Sequence, residues 1–151
     1  MNADVFLKKV LGSEGYYCLF AYKLNDDKLT QKFYGSVEEL AIAAKDIDAR
    51  GYNAYYGLAT FEESGSRKVN NVKQLKSFFL DLDCGESKDY PSQRDALQAL
   101  QKFCKKLNLP RPMLVDAGRG VHVYWLLEES VSASEWVPVA ERLKKLCKEN
   151  G

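Results

Sequence analysis

Lys76-Ser77-Phe78-Phe79-Leu80-Asp81-Leu82-Asp83 is the stretch on which the fold turns. An apolar, aromatic run closed by Cys84-Gly85 reads as a strand over Lys76 to Asp83. Side chains alternate along a strand, so Asp81 and Asp83 share one face while Leu80 and Leu82 turn into the core. Two carboxylates about 7 Å apart on one face repel each other unless a cation lies between them. Hard oxygen donors of this kind suit Mg²⁺ or Mn²⁺ carrying phosphate oxygens. The competing reading is a strand that ends in a solvated Asp turn, and the bare D-x-D pattern does not choose between the two.

Downstream, Ser92 caps a helix carrying Leu97, Leu100, Phe103, Cys104 and Leu107, and Pro110 and Pro112 end that region. Met113 to Asp116 reads as a short strand, Ala117-Gly118-Arg119 as a tight turn and Gly120 to Leu127 as a strand. Ser132-x-x-Glu135 opens a last helix to Cys147, with Pro138 in an early turn and Asn150-Gly151 as its stop. Strand, helix, strand, strand, helix is the order of an RRM-like or ferredoxin-like unit short of its last strand. The expectation is an α/β (α+β) fold with this sheet unit over residues 75–151, in a single domain of 1–151 whose natural form continues past the last residue.

Upstream, residues 1–61 read as a small α/β module. Ala3 to Leu11 is a short helix stopped at Gly12, and Tyr16 to Lys23 a strand. Asn25-Asp26-Asp27 offers a turn and Leu29 to Tyr34 a hairpin partner. Ser36-x-x-Glu39 is a capping box before Leu40, Ile42, Ala43 and Ile47, and Gly51 is the stop. Ala54 to Thr60 is a further strand, and the polar segment Glu62 to Gln74 a surface loop.

In such a sheet the strand Gly120 to Leu127 lies antiparallel to Lys76 to Asp83. That places His122, the chain's one histidine, close to Asp81 and Asp83. Parity puts His122 on a face with Tyr124, opposite Val121, Val123 and Trp125. Alone, the histidine reads as a half-exposed strand residue; beside an acidic pair it reads as part of a site. Gly118-Arg119-Gly120 adds exposed backbone N–H groups and a guanidinium able to cradle phosphate oxygens, although hairpin turns favour glycine in any case. Arg67 and Lys68, in the loop before the Asp strand, could reach a nucleotide or template phosphate; each taken singly is a solvated loop charge. Asp116 stands two strand spacings, about 9.5 Å, from the Asp strand and reads as a turn or capping carboxylate.

The composition narrows the remaining classes. The 151 residues are 46% hydrophobic and 28% charged, which is a globular make-up with enough chain for a core. Twenty-two basic against 21 acidic side chains leave a net charge of +1, so no global field announces a polyanionic partner. No apolar run is long enough to cross a bilayer and no signal peptide opens the chain. Cys18, Cys84, Cys104 and Cys147 are scattered, which argues against a zinc site and for reduced thiols in a cytoplasmic protein.

The run from Ser77 to Asp83, followed by Asp116-Ala117-Gly118-Arg119-Gly120-Val121-His122-Val123-Tyr124-Trp125, resembles the archaeo-eukaryotic primase superfamily. More closely it is similar to the primase-polymerase domains of phage and plasmid replication proteins. That family pairs a D-x-D metal motif with a small-x-His motif, matched here by Asp81, Asp83 and Gly120-Val121-His122, and the likeness spans Tyr52 to Leu146. It implies template-directed phosphodiester synthesis with a two-metal Mg²⁺ or Mn²⁺ site. Asp81 and Asp83 would be metal ligands and His122 a contact to the triphosphate of the incoming nucleotide. The implied partners are nucleoside triphosphates, a single-stranded DNA template and a fused or associated helicase. Two departures stand out: Ala117 where the family often has Ser, and no third acidic motif after the histidine before the chain ends. A fragment of weak or no activity is the expectation.

Other classes fit less well. A haloacid-dehalogenase-type phosphatase wants Thr or Val where this chain has Gly85, and initiator nucleases need paired histidines. A Toprim-type primase relies on an upstream Glu and no histidine, and a glycosyltransferase could use D-x-D to hold a metal and a sugar nucleotide. A non-catalytic RRM-like module would stack RNA bases on Phe79 and Tyr124, against the repulsion of the nearby carboxylates.

Overall fold

A computed structural model describes residues 2–23 and 26–150, with the side chains of 26–29 left aside. The element order is α1 (Ala3–Val10), β1 (Tyr16–Lys23), β2 (Asp26–Tyr34), α2 (Val37–Ala49), β3 (Asn53–Phe61), a single 3₁₀ turn (Val69–Asn71), β4 (Val72–Leu82), α3 (Gln93–Leu107), β5 (Met113–Asp116), β6 (Val121–Val131) and α4 (Ala133–Glu149). The strands form one sheet in the order β2-β1-β3-β4-β6-β5. This is a mixed α+β fold, and its second half has the expected strand, helix, strand, strand, helix order. Among the described residues no helix is long and apolar enough to cross a membrane.

Two compact units share the chain. One takes the residues up to Lys76 together with Glu128–Trp136, the other Ser77–Leu127 and the residues from Val137 onward.

In the first unit β1 is central, antiparallel to β2 on one side and to β3 on the other. Tyr17, Leu19 and Ala21 are buried on the side where α2 packs, with Val37 and Leu40 beneath them. Tyr17 also donates its hydroxyl to the Gly12 carbonyl at 2.7 Å, so the buried phenol is satisfied. The other side of β1 begins with Cys18, which joins Ala59, Phe61 and Leu75 in a cluster flanked by Phe20, Phe33, Val131 and Trp136. Burial there pushes the Cys18 thiol up to about 11, which fits an inert core thiol. Ser36 Oγ accepts from the Glu39 N–H at 3.2 Å, and Glu39 reaches back to the Gly35 N–H at 3.1 Å, so the expected capping box closes one residue early.

Three strand boundaries differ from expectation by several residues, and one of them is the end of β6, at Val131 where Leu127 is expected. β4 starts at Val72 because Ala59, Thr60 and Phe61 of β3 pair with Leu75, Gln74 and Val72, drawing polar residues of the expected loop into the ladder. Backbone pairing of Lys23 with Asp26 carries β2 into the expected turn, whose Asn25 lies outside the described residues.

In the second unit Val121, Val123 and Trp125 of β6 are buried with Phe78, Ala96 and Leu100. The Trp125 indole N–H donates to the Pro110 carbonyl at 2.9 Å, which ties β6 to the segment after α3. α3 is opened by Ser92, whose Oγ accepts from the Asp95 N–H at 3.2 Å, and closed by Asn108 in the left-handed region at φ 53°. Leu80 and Leu82 do not reach a closed core. They are part-buried in the lining of a 760 Å³ cavity shared with Leu100, Phe103 and Cys147.

Candidate active site

Phe79 and Asp81 of β4, with Asp83 just past its end, are exposed residues in alternation with the part-buried Leu80 and Leu82. β6 brings His122 alongside. Its Nε2 lies 3.7 Å from Asp81 Oδ1, and its ring meets Phe79 edge-on with centroids 5.2 Å apart. Phe79 also contacts Tyr124, at 5.1 Å between centroids, so the parity argument for His122 and Tyr124 agrees with the ring contacts. The side chains of Asp81 and Asp83 are 58% and 56% exposed, so both carboxylates are open to solvent.

Opposite the end of β4, the turn between β5 and β6 is built around one carboxylate. Asp116 Oδ1 accepts from the Gly118 N–H at 2.8 Å, and the Ala117 N–H donates to the Gly120 carbonyl at 3.0 Å. Gly118 sits at φ +85°, where a side chain would be strained. Gly120 has a different reason to be glycine: a Cβ there would run into the Leu82 carbonyl and come within 3.4 Å of Asp83 Cα. The two motifs of the site therefore meet main chain to main chain.

Gln93, the first residue of α3, fastens the turn from the side. Its amide nitrogen donates to Asp116 Oδ1 at 2.8 Å and to the Gly120 carbonyl at 3.0 Å, with the Gly118 carbonyl at 3.4 Å. The hydrogen bonds from the Gly118 N–H and Gln93 hold the Asp116 carboxyl below the usual range. Asp116 is thus a turn carboxylate, as its position in the sequence suggests. A carboxyl so depressed contributes stability above its unfolded pKa, and that contribution is lost as pH falls through the folded value. Gln93→Ala is expected to raise the Asp116 pKa toward normal, so that acid loosening of the turn begins at a higher pH. It should also lower the melting midpoint by about 2–5 °C at neutral pH. Carboxylate-detected NMR titration and thermal melts check both.

Lys88 lies in the loop after β4, its ammonium 2.9 Å from Asp83 Oδ2. That hydrogen bond and the charge of Asp83 raise the Lys88 pKa, while Arg119 lowers it. Neither Gln93 nor Lys88 is visible in the sequence as part of a site. Gln93 lies 25 to 27 residues before the carbonyls that it reaches, and Lys88 is one charge in a polar loop.

Of the residues singled out in the sequence, Asp81, Asp83, His122 and the run Gly118-Arg119-Gly120 all lie in the second unit. Arg67 and Lys68 belong to the first. There the Arg67 guanidinium lies 4.3 Å from the centroid of the Phe20 ring, and the Lys68 N–H donates to Ser66 Oγ at 3.3 Å. No group of three or more metal-ligating side chains gathers among the described residues. Two exposed carboxylates nevertheless suit Mg²⁺ or Mn²⁺, which are commonly held by one or two carboxylates while substrate phosphates and water complete the shell.

No family model matches the chain. A replication protein of Clostridium perfringens is 32% identical to it over 105 residues, which is 66% of this chain. The match covers 24% of that protein, so the chain spans about a quarter of the length of the relative. Among solved structures, the AEP domain of the primase-polymerase (PrimPol) of cyanophage S-2L aligns with a TM-score of 0.58. The identity is 19%, over 87% of this chain and 64% of that one.

Proposed function

We propose, for a chain that has the fold of a primase-polymerase AEP domain, that it performs template-directed nucleotidyl transfer in replication. The observation that carries this reading is the pairing of Asp81 and Asp83 with His122, 3.7 Å from Asp81, at the sheet end that also bears the Gly118 turn. Asp81 and Asp83 present hard oxygens for Mg²⁺ or Mn²⁺. A divalent ion held there would neutralise triphosphate charge and favour attack of a primer hydroxyl on the α-phosphate, with pyrophosphate leaving.

The protein's own groups have simpler tasks. His122 contacts the triphosphate, and Arg119 pairs with its oxygens from a turn whose conformation Asp116 and Gln93 hold. Arg67 and Lys68, in the first unit, contact phosphates of a single-stranded DNA template. Positioning and charge neutralisation suffice for such a transfer, which needs no covalent nucleophile. The base-stacking alternative is weaker, because Tyr124 is only 4% exposed and offers no ring face to a base.

Calorimetric titration of a nucleoside triphosphate with Mn²⁺ tests the reading on the parent chain and on Asp83→Ala and His122→Ala. Metal-dependent binding by the parent, weakened about tenfold or more in both variants, is the expected result. Binding that ignores Mn²⁺ and survives both substitutions would place the nucleotide elsewhere and overturn the assignment.

A further inference from the structure

The loop that follows β4 is ordered by its own backbone. The Gly85 N–H donates to the Tyr90 carbonyl at 2.9 Å, the Lys88 N–H donates to the Gly85 carbonyl at 3.1 Å, and Cys84 forms a β-bridge with Tyr90. Gly85 turns the chain at φ +148°, a value that side chains rarely adopt. The effect of this fold-back is to deliver one ammonium group to Asp83, with Lys88 Nζ 2.9 Å from Oδ2 and the lysine side chain still 48% exposed. Arg119, in the turn before β6 of the same unit, carries a second positive charge and lowers the Lys88 pKa. Among the described residues Asp83 thus has a lysine partner, while Asp81 faces His122.

Charge counting gives these two cations a use. Two divalent ions, a triphosphate with about four negative charges and the two carboxylates leave an excess of about two negative charges, which Lys88 and Arg119 together offset. A divalent ion on Asp83 would also repel Lys88 from that carboxylate at the moment when phosphate oxygens become available.

We infer that Lys88 is a substrate-binding side chain, a cation that occupies Asp83 while the site is empty and moves to the nucleotide's triphosphate when metal and nucleotide arrive. The inference rests on the reading of Asp81 and Asp83 as metal ligands and adds a residue and an exchange of partners to it. As the occupant of Asp83, Lys88 competes with metal; as a phosphate contact, it assists nucleotide. The two affinities must then respond to its loss in opposite directions.

Two calorimetric titrations on the full chain test this, with Mn²⁺ alone and with a nucleoside triphosphate at saturating Mn²⁺. The variants are Lys88→Ala, Lys88→Arg and, as a control on the site, Asp81→Asn. For Lys88→Ala we expect Mn²⁺ alone to bind about 3-fold or more tighter and the nucleotide about 10-fold weaker, with Lys88→Arg recovering most of the nucleotide affinity. A parallel loss of both affinities makes Lys88 a support that merely orients Asp83, and no change in either makes the ion pair a surface contact. Both results overturn the inference while metal-dependent binding lost in Asp81→Asn leaves the site itself standing. No metal-dependent nucleotide binding by the parent chain overturns the site and this inference together.

Discussion

Gly120→Ala is expected to lower the unfolding free energy by about 3 kcal/mol, a large loss for the addition of one methyl group. The added carbon would run into the Leu82 carbonyl, a main-chain atom that has no rotamer in which to retreat. Relief requires the end of β4 and the start of β6 to separate, and Gly120 is itself a buried position. The carbonyl of Gly120 also receives the Ala117 N–H and the Gln93 amide, so a shift there disturbs the whole turn. Chemical denaturation of the two proteins measures the difference. Gly118→Ala provides the comparison: nothing lies within 4 Å of its added carbon, and only the positive φ of 85° is strained. A loss at Gly120 no greater than that at Gly118 would show that the strands accommodate the methyl group and that the contact is not a constraint.

The double replacement Asp81→Asn, Asp83→Asn should abolish metal-dependent nucleotide binding, with affinity falling about 100-fold or more. Its effect on folding should be slight. Both carboxylates are exposed, their mutual repulsion disappears, and the Lys88 pair lost from Asp83 is a surface interaction of small worth. A melting midpoint that is unchanged or raised, together with lost binding, marks side chains retained for a ligand rather than for the fold. Nucleotide binding that persists in the double variant would remove both residues from the site, and a collapse of the midpoint would give them a structural role.

Much of this architecture is legible in the sequence where periodicity and turn chemistry agree. β1 occupies Tyr16–Lys23 as its run of aromatic and apolar residues predicts, and Ser36 and Ser92 cap their helices as expected. The early start of β4 is not legible, because Lys73 and Gln74 are polar and gain their strand geometry from β3 alone. Leu80 and Leu82 have a core pattern but line a cavity, since alternation fixes which way a side chain points and not what fills the space beyond it. The closeness of His122 to Asp81 follows from strand order and parity. The clamp of Gln93 on the turn and the reach of Lys88 to Asp83 depend on tertiary placement, which no local pattern encodes. Arg67 illustrates the same limit: a loop charge in the sequence, it lies against the Phe20 ring in the fold.

The Gln93 amide has a consequence for the order in which this region forms. Its hydrogen bonds to the Gly118 and Gly120 carbonyls close loops of 25 and 27 residues that contain the rest of α3 and all of β5. Closing a loop of that size costs chain entropy before any bond repays it, so the clamp engages only once the helix and strand inside it have formed. The turn between β5 and β6 is then among the last parts of the unit to assemble and among the first to open. In native-state hydrogen exchange the Gly118 amide should accordingly exchange well before that of the fully buried Val123, although only a few residues separate them.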